Sequence, residues 1–287
     1  TGEIKPVKIL KTPAGDTDLE VTLTEVRPNG REIYIQSGWL RTSHRTLDRA
    51  ASHVAATLVC SVCSTSRSST SRHCFSSVKA PTGNGTPVVT GETVFLSVVE
   101  GDTVHLWSID LGMGTVKWKR PLGAAAGHAH KKHNMATPSP STDGKRVFAM
   151  TGAGVLKGFD VSGTELWSRD FQKDYGPFGL NWGYGSSPLL LDDALYVIVL
   201  HGYKTDDPSY VLRLDPATGK TRWKVERPTS ASQESPDAYT TPTVARVAGR
   251  TEIVVAGADV VTGHDPATGK ELWRAAGLNP TGDPYYR

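Results

Sequence analysis

The chain has 287 residues, of which 38% are hydrophobic and 21% are charged, and its formal net charge is only +3. Because the net charge is small and the sequence contains no basic stripe or long run of like charge, neither nucleic acid nor anionic lipid is predicted as a partner. No apolar run approaches the roughly eighteen residues that a membrane-spanning helix needs, so no transmembrane segment is predicted.

Residues 1–50 are predicted to form a β fragment. Two alternating stretches, "LEVTLTEV" and "EIYIQSGWL", flank the turn "RPNG", which is typical of a β-hairpin or meander. Residues 16–48 resemble the C-terminal jelly-roll domain of the CocE/X-prolyl dipeptidyl peptidase class of serine hydrolases. The catalytic residues of such hydrolases belong to a separate α/β domain, so the resemblance implies no activity. Ser43 and His44 are adjacent in an extended stretch and face opposite ways, which argues against a nucleophile–base pair.

Residues 51–80 have an unusual composition, rich in serine and arginine and without proline, glycine or any acidic residue. Three interpretations stay open: a disordered linker, a stretch translated out of frame that joins two unrelated coding pieces, and a zinc knuckle on Cys60, Cys63, His73 and Cys74. The filler "STSRSSTSRH" lacks the turn glycines and apolar anchors of a zinc module, so the linker is favoured over zinc.

Residues 81–287 contain four repeats of one pattern. Each repeat has an aspartate, a glycine three or four residues later, and a tryptophan four residues after the glycine. The aspartates are Asp110, Asp160, Asp215 and Asp265, the glycines are Gly114, Gly163, Gly219 and Gly269, and the tryptophans are Trp118, Trp167, Trp223 and Trp273. A Ser/Thr-Pro landmark opens each repeat, at Thr86, Thr137, Ser186 and Thr240. Short β-branched runs between the landmarks predict four strands per repeat.

The motif "DPATGK" predicts a tight turn between the last two strands of a repeat. Pro216 sets the φ angle for a type I turn, Asp215 accepts from backbone amides, and Gly219 supplies the left-handed residue that closes a bulged hairpin. This turn would aim the following tryptophan at a neighbouring repeat. A period near fifty residues, with four strands and one large aromatic residue per period, is the signature of a β-propeller. The predicted fold is therefore all-β, with four four-stranded blades.

The pattern "D-x-x-T-G-K-x-x-W" resembles the PQQ-like (pyrroloquinoline-quinone-like) repeat propellers, over residues 82–280. Relatives include quinoprotein alcohol dehydrogenases and the lipoprotein scaffold of outer-membrane assembly, so the resemblance implies a periplasmic or otherwise extracytoplasmic location. Propellers of this family usually close with seven or eight blades. Four visible repeats therefore lead us to expect a partial propeller, an incomplete fragment with bare blade faces, rather than a small closed ring of four.

Two loops between repeats are candidate sites. The stretch "GHAHKKHN" places His128, His130 and His133 at H-x-H-x-x-H spacing, which could chelate zinc or copper, but the charges of Lys131 and Lys132 favour a solvated loop. The stretch "DYGPFGLNWGYGSS" is rich in aromatic residues among glycines, which form either a ligand shelf or a plug for the ring's centre. Its aromatic residues are Tyr175, Phe178, Trp182 and Tyr184.

Two functions from different classes stay open. The preferred one is a non-catalytic scaffold whose loop-bearing face binds a protein partner or an extended ligand, with no catalytic residue assigned. The alternative, implied by the resemblance, is a PQQ-dependent quinoprotein dehydrogenase with calcium on the propeller axis and an aspartate as base. Such relatives have an adjacent cysteine pair and a calcium-binding carboxylate set. Residues 81–287 contain no cysteine, and no calcium ligands can be assigned, so no cofactor is assigned.

Overall fold

The computed structural model describes four strands within residues 22–79, as backbone only, and then residues 80–283 and 285 in full. The first four strands are β1 (Thr22–Val26), β2 (Arg31–Gln36), β3 (Thr57–Ser64) and β4 (Cys74–Lys79). They form one antiparallel sheet in the order β1-β2-β3-β4, with Thr22 opposite Gln36 in the first pair. The antiparallel pair expected near the N-terminus is therefore present.

Strands β3 and β4 lie in the segment for which the sequence predicts a linker. The run "TLVCSVCS" places Leu58, Cys60 and Val62 at every second position and is rich in β-branched residues, which is a strand signal that the unusual composition of the segment obscures. Cys60 pairs with Ser76 across the two strands. The zinc hypothesis and the pair Ser43 and His44 depend on side chains that lie outside the described residues, and the domain division at residues 50 and 80 stays a prediction.

Four further sheets follow, each antiparallel with its strands in chain order. Sheet I consists of β5 (Val88–Thr90), β6 (Thr93–Glu100), β7 (Thr103–Asp110) and β8 (Val116–Ala124), and sheet II of β9 (Ser141–Thr142), β10 (Arg146–Met150), β11 (Val155–Asp160) and β12 (Glu165–Asp170). Sheet III consists of β13 (Leu189–Leu191), β14 (Ala194–Val199), β15 (Tyr210–Leu214) and β16 (Thr221–Glu226), and sheet IV of β17 (Thr243–Val247), β18 (Arg250–Gly257), β19 (Val260–His264) and β20 (Glu271–Ala275).

The predicted fold class is confirmed: the chain is all-β, and its four repeats are four four-stranded sheets of a partial propeller that do not close a ring within the described residues. A short helix, α1 (Phe171–Tyr175), follows β12 and is capped by Asp170, whose carboxylate accepts from the Lys173 amide at 3.3 Å. Within the described residues, no helix is long and apolar enough to cross a membrane.

The core is divided into layers that lie between successive sheets. Between sheets II and III, Phe148, Val197 and Leu212 are fully buried in one cluster with Trp167, which is 9% exposed. Separate clusters fill the space between sheets I and II and between sheets III and IV. Because a four-stranded sheet buries too little apolar area by itself, this face-to-face packing supplies most of the hydrophobic stabilisation.

Three of the four repeat tryptophans make the same contact with the next sheet. The indole N–H groups of Trp118, Trp167 and Trp223 donate to backbone carbonyls at 3.1, 2.9 and 3.3 Å. Each accepting carbonyl belongs to the residue directly after the repeat aspartate of the following sheet; these residues are Val161, Pro216 and Pro266. The tight turn therefore presents a carbonyl group to the tryptophan of the preceding sheet.

The repeat glycine makes room for that contact. Gly219 has a φ of +68°, and a Cβ atom built on it would lie 2.6 Å from the ring of Trp167. Any other residue would therefore be strained in its backbone and would push the indole away. Two arginines that follow the motif at Trp-x-Arg spacing add to the contact, because Arg120 and Arg169 donate to the carbonyls of Gly163 and Gly219.

The Ser/Thr-Pro landmark joins the sheets a second time. The backbone N–H of Thr86 donates to the Ser139 hydroxyl at 2.8 Å, that of Ser139 to the Ser187 hydroxyl at 2.9 Å, and that of Ser187 to the Thr241 hydroxyl at 3.1 Å. Each hydroxyl belongs to the residue before a proline at the start of a sheet. Both landmarks of the repeat thus connect one sheet to the next.

The repeat aspartates predict how stability responds to acid. Hydrogen bonds from the Ser162 hydroxyl and the Thr164 amide lower the pKa of Asp160 to about 2. A carboxyl whose pKa is lowered by folding stabilises the fold above its unfolded pKa of about 4 and loses that contribution as the pH falls through its folded pKa. We expect Asp160→Asn to lose less unfolding free energy than the parent between about pH 4 and about pH 2, as measured by urea unfolding.

The control for this measurement is Asp193→Asn, because the Asp193 side chain is 93% exposed. That variant should follow the parent across the same acid range. Identical acid profiles for the parent and Asp160→Asn would show that the turn aspartate does not link stability to pH.

Candidate functional site

Four long loops lie at the same end of the sheets. Residues 125–140, 176–188 and 227–242 join the last strand of one sheet, or α1, to the first strand of the next, and residues 200–209 join β14 to β15. In a meander of four antiparallel strands, the connection between the second and third strands lies at the same end as the connection to the next sheet. The turns that carry the repeat aspartates lie at the opposite end.

The first three of these loops border one cavity of about 560 Å³. It is lined by His130, His133, Thr137, Trp182, Gly185, Glu234, Tyr239 and Tyr285. The two stretches that the sequence marks as candidate sites therefore meet, together with a third loop and a residue near the C-terminus. Pockets of this size with several rings and few polar groups are typical of ligand sites.

The histidine loop is attached to the aromatic loop at the cavity wall. The backbone N–H of His130 donates to the Trp182 carbonyl at 3.0 Å, and the ring of His130 meets the indole of Trp182 edge-on, with 4.8 Å between centroids. The rings of His130 and His133 are 6.4 Å apart, and His133 Nδ1 lies 3.3 Å from the Thr137 hydroxyl. These contacts fix the His130 ring against the indole and the His133 ring beside His130 and Thr137.

His128 lies apart from the other two histidines of the loop. Its ring donates from Nε2 to the Asn181 carbonyl and lies 3.4 Å from the Lys204 ammonium, and it is not part of the cavity lining. No group of three or more His, Cys, Asp or Glu side chains suited to a metal ion occurs in the part of the chain that the structure describes. The H-x-H-x-x-H spacing therefore does not bring the three imidazoles to one point.

The aromatic loop divides between the cavity and the core. Tyr184 is buried and donates its hydroxyl to the Ile198 carbonyl at 2.9 Å, and its ring lies 5.0 Å from that of Phe178. Tyr175 bonds to the Thr221 hydroxyl at 2.6 Å. These three rings hold sheets II and III together, which leaves the fourth aromatic residue of the loop, the indole at position 182, in the cavity wall.

Two acidic residues of the third loop hold the aromatic loop in place. Asn181 donates its side-chain amide to Glu234 Oε1 at 2.8 Å and its backbone N–H to Asp237 Oδ2 at 2.6 Å. Asp237 also accepts from the Tyr203 amide at 3.1 Å and is fully buried. Burial raises the pKa of Asp237, and the donated backbone hydrogen bonds oppose that shift. Asp237 is therefore a positioning group beneath the cavity, whereas Glu234 lines it.

Two titratable groups of the lining bear on the charge of the cavity, the imidazole of His130 and the carboxylate of Glu234. Loss of solvent around the ring, with smaller electrostatic effects from Lys132, His133 and Lys131, lowers the pKa of His130. The ring is therefore neutral at pH 7. Glu234 is 7% exposed and is the carboxylate of the lining.

The chain matches two family models. The model described as outer membrane protein assembly factor BamB matches residues 57–198 and 207–285. The chain belongs to the BamB family. The model of the X-Pro dipeptidyl-peptidase C-terminal non-catalytic domain matches residues 1–99, so both models cover residues 57–99. Both resemblances seen in the sequence are thereby confirmed.

Solved structures place this BamB-family chain among propellers. The crystal structure of BamB from Moraxella catarrhalis is 18% identical, with 85% of this chain and 57% of that chain covered and a TM-score of 0.45. A europium-containing methanol dehydrogenase is 11% identical, with 88% and 50% covered and a TM-score of 0.56. The second likeness shows a shared fold. The chain thus spans about half the length of the structures it matches. A comparison with curated proteins gave no match.

Three lining residues of this BamB-family site escape interpretation of the sequence: Glu234, Tyr239 and Tyr285. A signal for the first two exists, because the stretch "SQESPDAYTTP" precedes a Ser/Thr-Pro landmark just as the other two candidate loops do. Every long loop that precedes this landmark reaches the same end of the sheets. The position of Tyr285 depends on the path of the C-terminal segment, for which the repeat gives no signal.

Proposed function

We propose that this chain is a non-catalytic binding propeller whose loop-bearing face holds a protein partner or another extended ligand. The observation that carries this proposal is the convergence of three inter-sheet loops on a single cavity with several aromatic rings. The description of the family as an outer membrane protein assembly factor supports a protein partner. It also supports an extracytoplasmic location, which we include in the proposal.

The donor set of the cavity does not fit a quinone with calcium. Pyrroloquinoline quinone carries carboxylates, which need cationic or amide donors, and calcium needs six to eight oxygen ligands. Neither lysine nor arginine occurs among the described lining residues, and Glu234 supplies the carboxylate oxygens of that lining. We therefore favour the scaffold over the quinoprotein dehydrogenase and derive no redox step for this chain.

Part of the same proposal is that sheet IV receives a further sheet of the same repeat. Trp273 occupies the repeat position, yet its indole donates to Glu252 on its own sheet rather than to a turn of another sheet. In the other three repeats, the indole N–H donates to a carbonyl of the following sheet. The Trp273 indole would be able to make the same bond if a further sheet packed on sheet IV. Support also comes from the matched methanol dehydrogenase structure, of which this chain covers 50%.

The scaffold proposal is tested with a peptide array tiled across outer-membrane β-barrel proteins, using the purified chain. We expect a subset of extended peptides to bind, and Trp182→Ala to weaken that binding about tenfold, because aromatic side chains at the centre of an interface carry most of the affinity. The matched control is Met113→Ala. Met113 is 69% exposed in the turn between β7 and β8, at the opposite end of the sheets, and its replacement should leave binding unchanged.

A parallel measurement separates the scaffold from the dehydrogenase. The chain is mixed with pyrroloquinoline quinone and calcium, and bound chromophore absorbance and dye reduction by alcohols are recorded. Stoichiometric quinone binding with dye reduction, or peptide binding that ignores position 182, would contradict the scaffold proposal.

A further inference from the structure

The electrostatic character of the cavity indicates the charge of its ligand. Three phenol or indole rings line it, from Trp182, Tyr239 and Tyr285, and two imidazoles add to them. The faces of indole and phenol rings carry negative charge density and attract cations that are removed from water. A wall of such rings therefore favours a cation over a neutral group of equal size.

A carboxylate is held next to the indole. Asn181 precedes Trp182 in the chain and donates its side-chain amide to Glu234 Oε1 at 2.8 Å, which fixes the carboxylate beside the cavity wall. Asp237, fully buried, accepts from the backbone N–H of the same asparagine at 2.6 Å. Two acidic side chains of the loop at residues 227–242 thus bind the residue that precedes Trp182.

Among the described residues, three lysines near the cavity lie outside its lining. Lys131 and Lys132 are exposed and do not line it, and the ammonium of Lys204 lies 3.4 Å from His128, which is also outside the lining. A bound anion would therefore meet aromatic rings and Glu234 rather than these ammonium groups. Coulomb repulsion from the carboxylate would oppose it.

We propose that the cavity binds the cationic side chain of a partner peptide, an arginine or a lysine, with its alkyl stem against the rings and its charged head at Glu234. Arginine suits the site best, because a planar guanidinium stacks on aromatic rings and donates charge-assisted hydrogen bonds to a carboxylate. This inference rests on the proposed function, since the cavity is the centre of the same loop-bearing face. It adds the chemical class of the group that the face recognises.

The test uses the Nα-acetylated amides of arginine, norleucine and glutamate, whose only charge is that of the side chain, as small probes of the purified chain. Binding is followed by the indole N–H signal of Trp182 in ¹⁵N-tryptophan-labelled protein, assigned with Trp182→Phe. We expect arginine amide to shift this signal. It should bind about tenfold more tightly than norleucine amide, because a cation–π contact and a partly buried ion pair together contribute about that much affinity. Glutamate amide should not bind.

Glu234→Gln is the decisive variant, because glutamine keeps an oxygen for Asn181 and removes the charge. It should bring arginine amide down to the affinity of norleucine amide, while Glu165→Gln, at an exposed pair with Lys157 on sheet II, should not. Equal affinity of arginine and norleucine amides for the parent would overturn the inference. Peptides of the array that bind through position 182 without any preference for basic residues would overturn it too, and would leave the scaffold proposal standing.

Discussion

Replacing Trp167 with alanine is expected to lower the free energy of unfolding by about 3–5 kcal/mol, the range for removing a large aromatic residue from a core. The indole is 9% exposed, stacks on Phe148 at 5.8 Å between centroids, and donates to the Pro216 carbonyl in the next sheet. Its removal leaves a cavity between two sheets and an unpaired carbonyl. Urea unfolding followed by far-ultraviolet circular dichroism measures the loss.

The matched control is Trp273→Ala, at the same position of the last repeat. Its indole is partly exposed and donates within its own sheet to Glu252, so its removal opens no space between two described sheets. We expect a clearly smaller loss of unfolding free energy. Equal losses of unfolding free energy for the two variants would show that Trp167 contributes through its own sheet alone. They would contradict the conclusion that face-to-face packing of the sheets is the source of stability.

Replacing Arg227 with methionine is expected to cost about 2–4 kcal/mol, because buried acceptors left without donors cost about 1–3 kcal/mol each. Arg227 follows β16 of sheet III and is fully buried against sheet IV. Its guanidinium donates to the Thr262 hydroxyl at 2.8 Å and to the carbonyls of Val260 and Gly257 at 2.9 and 3.1 Å. Burial lowers the pKa of Arg227 to about 10, which leaves it charged at neutral pH.

Two comparison variants make the Arg227 result interpretable. Arg222→Met removes an arginine whose side chain is 60% exposed and which pairs with Asp215, and a surface pair of this kind contributes less than about 1 kcal/mol. Arg227→Lys keeps the charge but loses the planar guanidinium with its several N–H donors. Its free energy of unfolding should therefore lie between those of the parent and Arg227→Met. A methionine variant as stable as the parent would mean that apolar contacts replace the buried charge without loss.

The repeat could be predicted from the sequence because it is a backbone requirement. The aspartate and glycine set a turn whose geometry tolerates few other residues, and the tryptophan at a fixed distance from it must meet the next sheet. Gly219 illustrates the coupling, since its left-handed φ and its closeness to Trp167 serve the turn and the interface together. Local chemistry repeated four times was enough to predict the architecture.

The candidate site was predictable only in part. The stretches that contain His130 and Trp182 stand out by composition, but spacing alone could not show that His128 lies outside the cavity while the other two histidines line it. Glu234 comes from a loop more than fifty residues beyond the aromatic loop's start, and its place beside Asn181 depends on how sheets III and IV pack. Such long-range convergence follows from tertiary packing, for which no local pattern exists.

The same reason explains the two strands within residues 51–80. A high content of serine and arginine predicts disorder, whereas strand formation depends on the alternation of apolar residues and on pairing with a partner strand. Strand β3 finds that partner in β2, with Ile35 opposite Cys60. Long-range pairing of this kind outweighs a local preference for a linker.

Hydrogen exchange of the indole N–H groups tests the stacked-sheet arrangement most directly. In ¹⁵N-tryptophan-labelled protein, with signals assigned by single Trp→Phe variants, the account predicts that the indole proton of Trp167 exchanges slowly, because it is bonded to the Pro216 carbonyl in a buried interface. Those of Trp118 and Trp223 should also be protected through the equivalent bonds. Exchange of the Trp167 indole proton at the rate of an unfolded peptide would contradict the arrangement on which the proposed binding face depends.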